Sequence, residues 1–153
     1  MKSESSLILI PKHSKIPKVN IFIGLSKMTH VYAVNSNNWE NEVIKADGLV
    51  IVDFWHKQCP WCLRLSPIYD EIAEEYRDKA KFTALNVFES PKNQHIALNL
   101  GVMSTPTLMF FCQGKPVAMV VGFQTKDRLK QLIENILANY KECARKSTEI
   151  KIT

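Results

Sequence analysis

The stretch Leu49–Pro67, LVIVDFWHKQCPWCLRLSP, restricts the fold more than any other part of the chain. It begins apolar, then carries two cysteines separated by two residues, then takes up a helical spacing. Leu49, Val50, Ile51, Val52, Phe54 and Trp55 show no polar alternation, which predicts a strand buried on both faces. One carboxylate, Asp53, sits inside that run. Beyond Cys59-Pro60-Trp61-Cys62, the residues Leu65, Ile68, Ile72, Ala73 and Tyr76 recur at three or four, marking one face of a helix. The first thiol therefore falls at a helix N-terminus, where unpaired N–H groups and the macrodipole favour a thiolate. Thiol–disulfide exchange needs that arrangement. Zinc would need two more ligands, and Cys112, Cys143 and the four histidines have no spacing that pairs with the CxxC.

The flanking segments supply the rest of a sheet. VYAV at residues 31–34 predicts a short strand. Asn35 or Ser36 can cap a helix carrying Trp39, Val43 and Ile44, which Gly48 ends. The helix after the CxxC is expected over about residues 62–78, with Pro67 inside it to kink it. Lys81–Val87 predicts the next strand, parallel to the first because a helix crosses between them. Ser90 to Leu100 reads as a loop leading into a short helix. Leu108–Cys112 and Val117–Val121 flank Gln113-Gly114-Lys115, an antiparallel hairpin. Thr125 then caps a last helix with Leu129, Leu132, Ile133, Ile136 and Leu137 on one face, and fraying is expected after Tyr140. The fold class is α/β: a mixed central sheet with helices on both faces.

Charge decides little about partners once it is located. The net +5 resides in the ends, +4 over residues 1–27 and +2 over 141–153, leaving −1 between them. That distribution predicts solvated basic tails rather than a nucleic-acid or membrane surface. No stretch reaches the apolar length of a membrane span. The short run Leu7–Ile10 is ended by Pro11 and Lys12 before a signal-peptide core forms. Four cysteines are too few for a stapled secreted framework, so a reducing cytoplasm is expected. Residues 28–140 are read as the domain and 141–153 as a basic tail. For residues 1–27 two readings stay open: a genuine extension, unfolded or adding an edge strand through Val19, Ile21, Ile23 and Leu25, or translation assigned upstream of a start at Met28.

VDFW before a CxxC, a proline five residues into the next helix, TPT before a strand, a hairpin glycine and VVGF before the last helix occur in one order. Over about residues 28–140 this set resembles the thioredoxin family. The resemblance implies the thioredoxin fold and a redox-active Cys59–Cys62 couple with no other cofactor and no metal. It also implies disulfide-containing protein substrates, thioredoxin reductase or a similar electron donor, and a monomer. By position, Cys59 matches the exposed attacking cysteine, Cys62 the buried resolving one and Asp53 the buried aspartate beneath them. Pro106 matches the cis-proline, Thr105 the residue whose backbone faces substrate, Trp55 the tryptophan packed beside the site, and Gly122 a glycine of the substrate groove. Pro60 and Trp61 fill the dipeptide between the thiols, and Trp61 offers apolar surface for docking.

Three departures stand out. Family members commonly read WCGPC where this chain has Gln58-Cys59-Pro60-Trp61-Cys62. The lysine they place near the buried aspartate is Ala84, and the loop Phe88–Ala97 is a few residues longer. Burial should raise the pKa of Asp53, which suits it to take the proton of Cys62. The competing functions are a glutathione-linked, glutaredoxin-like enzyme, suggested by Pro60 and Thr105-Pro106, and a non-catalytic binding module that uses the groove around Trp61.

Overall fold

The computed structural model describes the backbone of residues 29–152, with side chains over 29–139 and at Lys141. The edge strand considered for residues 19–25 and the tail thiol Cys143 lie outside what it describes. In chain order the elements are β1 (Val31–Val34), a π-helical turn (Glu40–Ile44), β2 (Leu49–Trp55), α1 (Pro60–Glu75), β3 (Lys81–Asn86), α2 (Pro91–Asn99), β4 (Thr107–Cys112), β5 (Lys115–Val121) and α3 (Lys126–Ile152). The five strands form one sheet in the order β1-β3-β2-β4-β5. β3 runs parallel to both β1 and β2, while β4 is antiparallel to β2 and β5 to β4.

The apolar run of β2 is central, as its lack of alternation requires, and its pleat feeds two cores. Leu49 and Ile51 point to one side, where Leu65, Tyr69, Ile72 and Ala73 of α1 and Leu129 and Ile133 of α3 pack on them. Val50, Val52 and Phe54 point to the other, against Val43, Ala97 and Val102. Asp53, two residues beyond Ile51, therefore belongs to the α1 face.

Three expected segments differ. The helix expected after Asn35 is only a π-helical turn, closed by Lys45 N–H on the Glu40 carbonyl at 2.8 Å. The wider turn brings both Trp39 and Ile44, five positions apart, onto the same core. In an α-helix those positions face different ways. The segment read as a loop from Ser90 is helical from Pro91, because the Ser90 hydroxyl caps it by accepting the Asn93 N–H at 3.1 Å. The third helix continues to Ile152, through the segment after Tyr140 where fraying is expected.

The β4–β5 hairpin turns on Gln113 and Gly114, both with positive φ (53° and 79°), the backbone of a type I′ turn. A Cβ on Gly114 would fall on the Ile44 carbonyl oxygen. Gly114→Ala is expected to cost about 2 kcal/mol or more, through left-handed strain and that overlap. A urea midpoint equal to that of the parent would show the hairpin can shift away at no cost.

Candidate active site

At the C-terminal end of β2 the chain leaves the sheet and turns into α1. The Trp55 carbonyl accepts the Val87 N–H at 2.9 Å, tying this exit to the end of β3. His56 then anchors the turn twice: its Nδ1 accepts the Gln58 N–H at 3.2 Å and its carbonyl accepts the Cys59 N–H at 3.3 Å. Cys59 is the N-cap of α1, with extended backbone (φ −96°, ψ 107°). Pro60 follows at the first helical position, where a missing N–H costs nothing.

Cys59 and Cys62 are joined in a disulfide, their Cα atoms 5.2 Å apart. The Cys62 N–H also donates to Cys59 Sγ at 3.1 Å. One of the donors left over at every helix start is thus aimed at this sulfur, where it and the dipole favour negative charge after reduction. Both cysteines are buried in the disulfide form, Cys59 at 6% exposure and Cys62 at 2%. The expected contrast between an exposed and a buried thiol is therefore narrow here, with Cys59 the more open.

Cys62 begins the buried face of α1 that continues through Leu65 and Tyr69 onto the sheet face bearing Asp53. Asp53 is 5% exposed and its Oδ1 has no hydrogen-bond partner. Its strand neighbours are Ala84 on β3 and Leu108 on β4, neither of which offers charge or a side-chain donor. Burial, with a smaller push from the Asp70 carboxylate, raises its pKa from 3.8 to about 7. With Ala84 as its β3 neighbour, no cation offsets that burial.

The sequence pattern missed Tyr69. Leu65, Tyr69, Ile72 and Ala73 share the buried face, and Ile68, expected on it, packs partly buried against the same core. The Tyr69 hydroxyl lies 3.1 Å from the Ile51 carbonyl and 2.9 Å from that of Thr83, so it can donate to either strand just before Asp53 and Ala84. Spacing four beyond Leu65 would have found the position; only the assembled sheet shows the carbonyls.

The peptide bond between Thr105 and Pro106 is cis. Pro106 is buried at the start of β4, and since Thr107 pairs with Phe54 it sits at the same sheet end as the CxxC. Gly122, with φ +92°, donates its N–H to the Pro106 carbonyl at 2.7 Å. Trp61 is half exposed, with the Phe123 ring 5.6 Å away and the Arg64 guanidinium 5.1 Å above it. Trp55 is partly buried beneath this end of the sheet. The fold thus gathers Trp55, Cys59, Pro60, Trp61, Cys62, Thr105, Pro106 and Gly122 at one end, with Asp53 inside. Cys112 lies apart, buried at the far end of β4 against Leu49. Among the described residues no group of three or more His, Cys, Asp or Glu side chains could hold a metal ion, and no helix is long and apolar enough to cross a membrane.

Residues 30–135 match the family model described as Thioredoxin. A chloroplastic M-type thioredoxin of Chlamydomonas reinhardtii is 39% identical over 105 residues, covering 69% of this chain and 73% of that protein. Thioredoxin 1 of a Nostoc species is 38% identical over 110 residues, 72% of this chain and all of the relative. A chloroplastic M-type thioredoxin of Brassica napus is 33% identical over 141 residues, covering 90% of this chain and 78% of that protein. Agreement of this extent, over the same residues that build the sulfur site, settles the family: the chain belongs to the thioredoxins and is a thiol–disulfide oxidoreductase.

Proposed function

We propose that this protein is a cytoplasmic, monomeric protein-disulfide reductase, recharged by thioredoxin reductase or a similar donor. Family membership supports reductase-type donors and disulfide substrates in general. The cytoplasm is proposed on cysteine usage alone. The domain is assigned to residues 28–140 and a basic tail to 141–153, with residues 1–27 either an N-terminal extension or the product of a start assigned upstream of Met28.

The Cys59 thiolate attacks one sulfur of a substrate disulfide. That S–S bond breaks, a mixed disulfide forms, and the departing substrate sulfur takes a proton. Cys62 then loses its proton to Asp53 and attacks the Cys59 sulfur, releasing the second substrate thiol. The balance is two electrons from protein to substrate; of the two protons the substrate thiols take up, solvent supplies one and Cys62 supplies the other by way of Asp53. Thr105 offers backbone groups to an extended substrate segment beside the sulfurs, and Trp61, Trp55 and Gly122 form the surface it docks on.

The observation that carries this reading is the Cys62 N–H directed at Cys59 Sγ from the first turn of α1. A thiolate held there should be alkylated by iodoacetamide at pH 7 about tenfold faster than an ordinary cysteine. The reduced protein should also accelerate insulin precipitation in dithiothreitol. Ordinary alkylation together with no insulin reduction would overturn it.

A further inference from the structure

Four residues, His56 to Cys59, separate the end of β2 from Pro60, the first helical residue. They form one turn, closed by the Cys59 N–H on the His56 carbonyl at 3.3 Å. Lys57 and Gln58 at its corners are exposed, and no glycine or proline sets its backbone in advance. What braces the turn is the His56 ring, whose Nδ1 accepts the Gln58 N–H, an amide the main-chain bond leaves over. Asn and Asp side chains commonly accept from the backbone two residues on in this way. Here an imidazole does so, which places the proton of the neutral ring on Nε2.

The ring is held in its turn by the segment after β3. The Phe88 ring stands beside it, with centroids 4.7 Å apart. Asn86 fixes that segment: its side-chain oxygen accepts the Phe88 N–H at 3.0 Å and its carbonyl the Glu89 N–H at 3.2 Å. The imidazole therefore has a wall on one side and a donor on the other.

The brace governs the place of a sulfur. The Cys62 N–H reaches Cys59 Sγ at 3.1 Å while Cys59 keeps the extended backbone of a helix cap, and the turn before it delivers that backbone. A hydrogen bond to a thiolate is charge-assisted and about twice as strong as one to a neutral sulfur. Loosening the turn thus costs the reduced couple more than it costs the disulfide.

We propose that His56 is a positioning residue of the dithiol: by accepting the Gln58 N–H it holds Cys59 where the Cys62 N–H meets its sulfur, and so stabilises the thiolate and the reduced couple. The role rests on the reading of Cys59 as the attacking sulfur, and the experiment separates the two. His56→Phe keeps an aromatic ring against Phe88 and removes the acceptor. His56→Asn gives up the ring and keeps an acceptor two residues before its donor. The Cys59–Cys62 couple of each full-length protein is equilibrated with glutathione buffers at pH 8, quenched in acid and read by peptide mass mapping. In His56→Phe the equilibrium should move about tenfold towards the disulfide, lowering the potential by about 30 mV for a two-electron couple. Iodoacetamide should also alkylate its Cys59 several-fold more slowly at pH 7. His56→Asn should stay within about twofold of the parent on both measures.

A side chain that only filled space would lower the melting temperature and leave the equilibrium unmoved, and Phe rather than Asn would then resemble the parent. A parent-like potential and alkylation rate in His56→Phe, or an Asn variant shifted as far as the Phe variant, would overturn the role while leaving the reading of Cys59 intact. Alkylation of Cys59 in the parent at the rate of an ordinary cysteine would remove both.

Discussion

Cys62→Ser turns the catalyst into a trap: incubated with disulfide-bearing proteins, it should accumulate covalent adducts through Cys59 that dithiothreitol releases. Cys59→Ser should accumulate none. Multiple turnover should fall by about 10³-fold or more in each, because a serine hydroxyl can neither enter nor resolve a disulfide. The asymmetry follows from placement. Cys59 caps α1, receives the Cys62 N–H and is the more open of the pair, so it meets the substrate first. Cys62 heads the buried face of the helix and can reach only the sulfur beside it. Non-reducing electrophoresis and intact mass report the adducts directly. Adducts on Cys62 in the Cys59→Ser protein would reverse the two roles.

How much of this was legible in the chain depended on whether the information was local. β2 is legible to the residue, since a strand buried on both faces writes itself as a run without polar alternation, here broken only by Asp53, and Gly48 and the CxxC punctuate its ends. The spacing predicts α1 from about residue 62, two residues late, because Cys59 itself is the cap and Pro60 the first helical residue. The π-helical turn was not legible: its composition suits an α-helix, and what widens it is the need to seat Trp39, whose ring lies 5.7 Å from Phe111 and 6.1 Å from Phe54. Only the folded sheet brings those rings together.

The site divides the same way. Both thiols, the aspartate and the cis-proline stand in local motifs. Asp53 could be judged buried from its neighbours, but its lack of any partner depends on Ala84 and Leu108, separated from it by whole elements and joined only by register. The role of Tyr69 needs two strands in place. Patterning reports which face a residue takes. It does not report what waits on that face.

Asp53→Ala should be more stable than the parent at alkaline pH and slower in turnover, and the two effects share one cause. In the unfolded chain the carboxyl ionises near 3.8; in the fold, burial first and the Asp70 charge second hold it to about 7. Below both values each state is protonated and the group is neutral to stability. Between them the folded protein keeps a proton the unfolded chain has lost, so stability falls as pH rises. Above 7 both are ionised and the fold carries a buried, unpartnered charge costing on the order of 4 kcal/mol. Removing the carboxyl should therefore raise the melting temperature by about 10 °C at pH 8. That gain should shrink steadily towards pH 4, where the small cavity left by Ala is all that remains. Turnover moves the other way, because Cys62 loses its proton acceptor: about ten- to a hundredfold slower at pH 7, with the inflection near 7 gone from the rate profile. Melting curves that track the parent at every pH would mean Asp53 is not a buried charge, and unchanged kinetics across neutral pH would take it out of the mechanism. Should both hold as expected, the carboxylate persists at a cost to the fold because the second sulfur needs somewhere to leave its proton.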